Sequence, residues 1–156
     1  MRTLLSILAL FFCLNLLAQK PQSSSVFPSA EEIIAFVDAN MGKKVSDGIC
    51  LDLVREANGG GTWYGKKWIN NKKYRVRKPQ IGDAITFEGV VYYDSNKKRH
   101  EAKSHIGIVY KILEDGNIIL AHQNAGVKRP KDSKVVLCQM NYKKIKCGKI
   151  KFYRFN

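Results

Sequence analysis

Ser46-Asp47-Gly48-Ile49-Cys50-Leu51-Asp52-Leu53-Val54-Arg55-Glu56-Ala57-Asn58-Gly59-Gly60-Gly61 is the stretch from which the rest of the chain is read. A helix begins after Ser46-Asp47-Gly48, and Asn58-Gly59-Gly60-Gly61 stops it, since glycine ends helices at little steric cost. Between these limits Cys50, Leu53, Val54 and Ala57 fall at i, i+3, i+4 and i+7, which is one buried face. Asp52, Arg55 and Glu56 are expected to point the other way. The buried face therefore opens with a cysteine, one or two residues inside a helix N-terminus. There the unpaired N–H groups and the helix dipole favour a thiolate and lower its pKa. The same N–H groups are suited to an oxyanion. A structural cysteine fits this face equally well, so position alone leaves nucleophile and core filler both open.

Upstream, Ser29 caps an earlier helix with Glu32 as its capping-box partner. Ile33, Ile34, Phe36 and Val37 form the apolar stripe of that helix, and Met41-Gly42 ends it. Downstream lies a basic, aromatic loop with Trp63, Tyr64 and Trp68. Pro79-Gln80-Ile81-Gly82-Asp83 is a turn feeding a strand from Ala84 to about Tyr93, and residues 94–103 read as a charged loop. Strands near 105–112 and 118–123 flank the hairpin turn Glu114-Asp115-Gly116-Asn117. Two more strands, near 134–139 and 149–155, give a roughly five-stranded antiparallel sheet. Helices first and strands after is an α+β layout.

His105 opens the strand His105-Ile106-Gly107-Ile108-Val109-Tyr110, next to a glycine that leaves room above the sheet. That suits a general base reaching a helix-borne thiol. If Asp115-Gly116 is a two-residue turn, Val109 sits opposite His122. Strand alternation then places His105, His122 and Asn124 on one face. Asn124 becomes the diagonal neighbour of His105, and His122 lies four positions off. Either residue has the chemistry to orient the imidazole, as the third member of a triad does. His100 falls in the charged loop and reads as solvated. No cysteine or histidine pair has ligand spacing, so neither a metal nor a cofactor is expected.

The 156 residues suffice for one domain, here residues 29–156, preceded by a linker at 19–28. Met1-Arg2, the apolar run from Leu4 to Leu17 and the small Ala18 have the layout of a signal peptide, cut after Ala18. The run is short for a bilayer span, so the expectation is a secreted or periplasmic monomer with no transmembrane segment. Cleavage removes Arg2 and no acid, taking the formal charge from +14 to +13. Such a surface favours peptidoglycan or another anionic envelope polymer. The basic residues are scattered through loops without a recognition motif, so specific nucleic-acid binding is not expected. Three cysteines would remain in an oxidising compartment. Cys138 and Cys147, nine positions apart around an expected turn, are expected to pair, leaving Cys50 free.

The blocks Gly48-Ile49-Cys50-Leu51-Asp52-Leu53-Val54, Pro79-Gln80-Ile81-Gly82-Asp83-Ala84-Ile85-Thr86-Phe87, His105-Ile106-Gly107-Ile108-Val109 and Ile119-Leu120-Ala121-His122-Gln123-Asn124 resemble the four landmarks of CHAP domains. They are also similar to the wider NlpC/P60 cysteine-peptidase superfamily. The resemblance implies a papain-like fold, in which the helix carrying Cys50 packs on an antiparallel sheet carrying His105. It also implies cleavage of amide bonds in peptidoglycan, by amidase or endopeptidase action. CHAP proteins typically have Glu where this chain has His122, whereas NlpC/P60 proteins often have His at the third catalytic position. The expectation is thus a cysteine hydrolase with Cys50 as nucleophile, His105 as base and His122 or Asn124 as orienting residue. Trp63 and Tyr64 would wall its substrate groove. The competing readings are a basic envelope-binding module that kept the fold without the activity, and an antibacterial toxin with the same chemistry.

Overall fold

The computed structural model describes residues 27–60, 71–93, 98–124 and 129–155. Trp63, Tyr64 and Trp68, the leader and all of the linker before Phe27 lie outside the described residues. Two helices, α1 (Ala30–Ala39) and α2 (Cys50–Ala57), precede six strands. These are β1 (Arg75–Val76), β2 (Ala84–Tyr93), β3 (Arg99–Ile112), β4 (Ile118–His122), β5 (Val136–Met140) and β6 (Cys147–Tyr153). The strands form one antiparallel sheet in the order β1-β6-β2-β3-β4-β5. The α+β class holds, with one strand more than the sequence suggested. No helix among the described residues is long and apolar enough to cross a membrane.

Helix α1 starts as its sequence dictates. The Glu32 N–H donates to Ser29 Oγ at 3.2 Å, and the Ser29 N–H donates to Glu32 Oε2 at 2.8 Å. Two of the four orphan donors at the helix start are thereby satisfied. The helix buries Ile33 and Val37, and the Tyr110 hydroxyl on β3 donates to Asp38 at 2.7 Å. Helix α2 buries Leu53, Val54 and Ala57, as the spacing requires. Asp52 departs from expectation, being fully buried. Its carboxylate turns back to accept from the Ile49 N–H at 3.2 Å and pairs with Arg55 at 3.0 Å. An acid in the first turn has orphan donors within reach, and here they outweigh solvent.

Each face of the sheet carries a buried apolar cluster. Ala84, Ile106, Ile108, Ala121 and Tyr153 pack against the two helices. Ile85, Phe87, Val109, Ile118, Leu120 and Phe152 build a second core on the opposite face. Residues 99–103, expected in a loop, are strand. Beyond the tip of the β2–β3 hairpin the exposed Arg99, Glu101 and Lys103 alternate with the half-buried His100 and Ala102. His100 stacks on Tyr92, with ring centroids 5.0 Å apart and 14° between the planes.

The β3–β4 connection also differs in register. The Leu113 N–H donates to Asn117 O and the Gly116 N–H to Leu113 O. The loop is therefore three residues, Glu114-Asp115-Gly116, and Gly116 takes the left-handed conformation that such a loop needs (φ 78°). A bulge at Tyr110 then shifts the pairing to Val109↔Leu120 and Ile108↔Ala121. Continued one step, this register sets Gly107 across from His122.

The expected Cys138–Cys147 disulfide is not formed, and both thiols are free. The intervening residues do not close a hairpin; they carry the chain from β5, at one edge, to β6, between β1 and β2. Three strands separate the two cysteines, roughly 19 Å along the sheet at about 4.8 Å per strand. A bridge needs Cα atoms within about 7 Å. Cys138 faces the second core, and Cys147 is exposed beside the Gly89 carbonyl.

One ion pair fastens the turn before β2 to the chain after β6. Arg154 donates to both oxygens of the buried Asp83, at 2.8 and 2.9 Å, and to the Lys78 carbonyl at 3.2 Å. Asp83 also accepts from the Gln80 N–H at 2.6 Å. Removing one member leaves the rest of a largely buried set unpaired. Asp83→Ala should lower stability by about 3 kcal/mol, to be measured by urea unfolding. Alkylation of the denatured, unreduced protein should label Cys50, Cys138 and Cys147 in full; labelling of Cys50 alone would restore the disulfide.

Candidate active site

Cys50 is the first residue of α2, and its half-buried side chain packs against the helix-facing core. Strand β4 stops at His122, so β3 has no partner on that side below Ile108 among the described strands. The Ile106 N–H lies near enough to the Cys50 sulfur to favour its charged form, as do the N–H groups of Cys50 and Leu51. Nucleophile candidate and sheet thus meet through the backbone of the residue that follows His105.

These donors were expected to lower the thiol pKa. The net shift is upward. Burial is the largest influence, the three N–H groups oppose it, and the Asp52 charge adds to the rise. A thiolate in apolar surroundings loses more hydration than a few backbone dipoles return. The resting cysteine is therefore a neutral thiol.

His105 leaves β3 on the face opposite the helices, over Phe87, with ring centroids 6.1 Å apart. Its other neighbour is His122, whose ring meets it edge-on at 5.2 Å and 83°. Gly107 makes this meeting possible. A Cβ there would stand 2.6 Å from Leu120 Cδ1, 2.7 Å from the Ala121 carbonyl oxygen and 3.3 Å from His122 Cβ. The bare α-carbon lets β4 close on β3, and His122 becomes the diagonal neighbour of His105 instead of lying four positions away.

Burial holds both imidazoles down to a pKa of about 4, and for His105 the proximity of His122 adds to the effect. Both rings are neutral at pH 7. Each keeps one buried nitrogen, Nε2 of His105 and Nδ1 of His122, without a hydrogen-bond partner among the described residues. Neither His122 nor Asn124 makes the expected hydrogen bond to His105. His122 is in ring contact with it. Asn124 sits half-buried in the left-handed conformation (φ 63°) just beyond the end of β4. His105, His122 and Asn124 together line a cavity of about 860 Å³, with Phe87, Leu120 and Cys138 also in its wall. Among the described residues no group of three His, Cys, Asp or Glu side chains could hold a metal ion.

One residue that the sequence reading quoted without a role proves central. Gln123, between His122 and Asn124, is fully buried and hydrogen-bonded to Val45 and Ile49, at the approach to Cys50. Alternation from His122 would have placed its amide on the helix-facing side, where a buried amide must find partners.

A thiol at a helix start and an imidazole on the adjoining strand are the residue types of a thiol–imidazole site, but Cys50 packs on the helix-facing core while His105 lines the cavity on the opposite face of the sheet, which Cys50 does not line. A family model described as CHAP domain matches residues 38–124, more than half of the chain, a span that includes Cys50, His105, His122 and Asn124. No curated protein and no solved structure matches the chain. By that match, the chain belongs to the CHAP domain family.

Proposed function

We propose that this chain is an exported cysteine hydrolase that cleaves amide bonds in the peptide part of peptidoglycan. CHAP membership points to peptidoglycan hydrolase or amidase activity in general. The observation that carries the finer reading is the Cys50 sulfur at the Ile106 amide, one residue from His105, whose ring meets His122.

In this reading His105, which stands on the opposite face of β3, reaches the sulfur around the unpaired end of that strand and takes the thiol proton as Cys50 attacks the amide carbonyl. N–H groups at the start of α2 hold the oxyanion that forms. His105 then gives the proton to the leaving amine as the C–N bond breaks, leaving a thioester. Water attacks the thioester, His105 takes its proton, and the thiol is regenerated as the acid departs. His122 steadies the imidazole, and Asn124 contributes from the end of the strand. Substrate contact by Trp63 and Tyr64, which lie outside the described residues, is part of the same proposal. The substrate class also agrees with charge, since +13 after loss of the leader draws the protein to an anionic envelope.

Sacculi digested with the protein should yield new amino termini or free lactyl groups, and sacculi treated with Cys50→Ala should yield neither. New reducing ends without peptide cleavage would sink the mechanism, since glycosidases usually work with paired carboxylates. Unchanged sacculi would favour the binding module.

The pH profile is a separate test. The base must be neutral, so kcat/KM should rise with pH through about 4, the value to which burial pushes His105. An acid limb near 6.5, as for an ordinary imidazole, would show that His105 is not the base in this environment.

A further inference from the structure

Gln123 leaves β4 on the face opposite His122, toward the segment that leads into α2. Its amide is used almost to capacity. Oε1 accepts from the Val45 N–H at 3.1 Å, and Nε2 donates to the Val45 carbonyl at 3.1 Å and to the Ile49 carbonyl at 2.7 Å. For Val45 the side chain replaces a strand partner, meeting both its N–H and its C=O. For Ile49 it fixes the carbonyl of the peptide unit that enters Cys50. All of this lies in a fully buried setting, where an unsatisfied polar group is costly.

The segment Val45–Ile49 has no other hydrogen bond to the sheet among the described residues. Its remaining bonds are local: Gly48 N–H to Val45 O, Asp52 N–H to Ile49 O, Ile49 N–H to Asp52, and Arg55 to Ser46. The residues before and after Gln123 are His122 and Asn124, at the cavity that also holds His105. A single side chain thus links the approach to the sulfur with the strand end that faces the imidazole.

We propose that Gln123 is a positioning residue: by holding Val45 and Ile49 to the end of β4, it sets the start of α2, and with it the Cys50 sulfur, at the end of β3 that carries His105. The consequence for catalysis rests on the reading of Cys50 as nucleophile; the placement of the sulfur does not. Loss of the amide frees the start of α2, and the sulfur moves out of the burial that raises its pKa. Reactivity toward a small alkylating agent then rises while the place of the sulfur at the end of β3 is lost.

The test uses full-length Gln123→Ala and Gln123→Glu proteins and iodoacetamide, with each cysteine read separately by mass spectrometry across a pH series. Cys138 reports on general unfolding, because its own burial raises that thiol to about 11. In Gln123→Ala, alkylation of Cys50 should speed up by about tenfold, the scale of two or three lost hydrogen bonds, with Cys138 unchanged. On a soluble peptidoglycan fragment kcat should fall by about tenfold, with KM held within about twofold. Gln123→Glu adds a signature that mere loosening would lack. Its protonated acid can donate to Ile49 and accept from Val45, so the excess Cys50 reactivity should vanish at low pH and return as the acid ionises. Equal acceleration at Cys50 and Cys138, or wild-type reactivity at Cys50 in both variants, would overturn the proposal. If the alkylation pattern appears in a protein that cleaves no fragment, the positioning role stands and the hydrolase reading falls.

Discussion

Among the described residues no strand pairs with β3 beyond Ile108 on the side away from β2, and much of the site follows from that. A buried N–H without an acceptor costs on the order of 1–3 kcal/mol. Strand β4 could have supplied the acceptor, yet it ends at His122, across from Gly107. The sulfur of Cys50 lies near the Ile106 amide instead. Helix α2 is thereby held with its first residue at the end of a strand, and not merely against the face of the sheet. Gly107 is the enabling residue, because any side chain there would push β4 away and move His122 with it.

Burial and hydrogen bonding compete at this junction, and burial prevails. Three N–H groups surround the sulfur, but the thiol is still harder to ionise than in water. The two imidazoles resist protonation for the same reason. A site of this kind stores no charge before its substrate arrives. The apolar second core beneath His105 keeps that imidazole neutral.

What the sequence disclosed was local. The Ser29–Glu32 box, the apolar face of α2 and the shared side of His105 and His122 need only a few consecutive residues to be read. What it concealed depends on distant partners. Asp52 looked solvent-facing because a helical wheel does not show the Ile49 N–H and Arg55 folding around it. Cys138 and Cys147 looked like hairpin neighbours because the strands between them in space come from earlier in the chain. The length of the β3–β4 loop was misjudged by one residue, and the bulge at Tyr110 added another shift. Those two steps together bring His122 to His105. The thiol pKa was misjudged because position in a helix is written in the sequence and depth in a core is not. Residues 99–103 were a more avoidable miss, since Arg-His-Glu-Ala-Lys already alternates as a strand does.

The place of β6 in the sheet has a consequence for the order in which the chain can fold. It is the last of the described strands in sequence, yet it lies in the interior of the sheet, with β1 on one side and β2 on the other. During synthesis, β2, β3, β4 and β5 can all pair before Cys147 to Tyr153 have left the ribosome. Until they do, β2 has an open edge and β1 has nothing to hold it. Closure is thus a late, long-range event, of the kind that slows folding because distant segments must meet before any contact rewards them. A chain arrested before residue 147 should remain an open sheet with one flank unsealed.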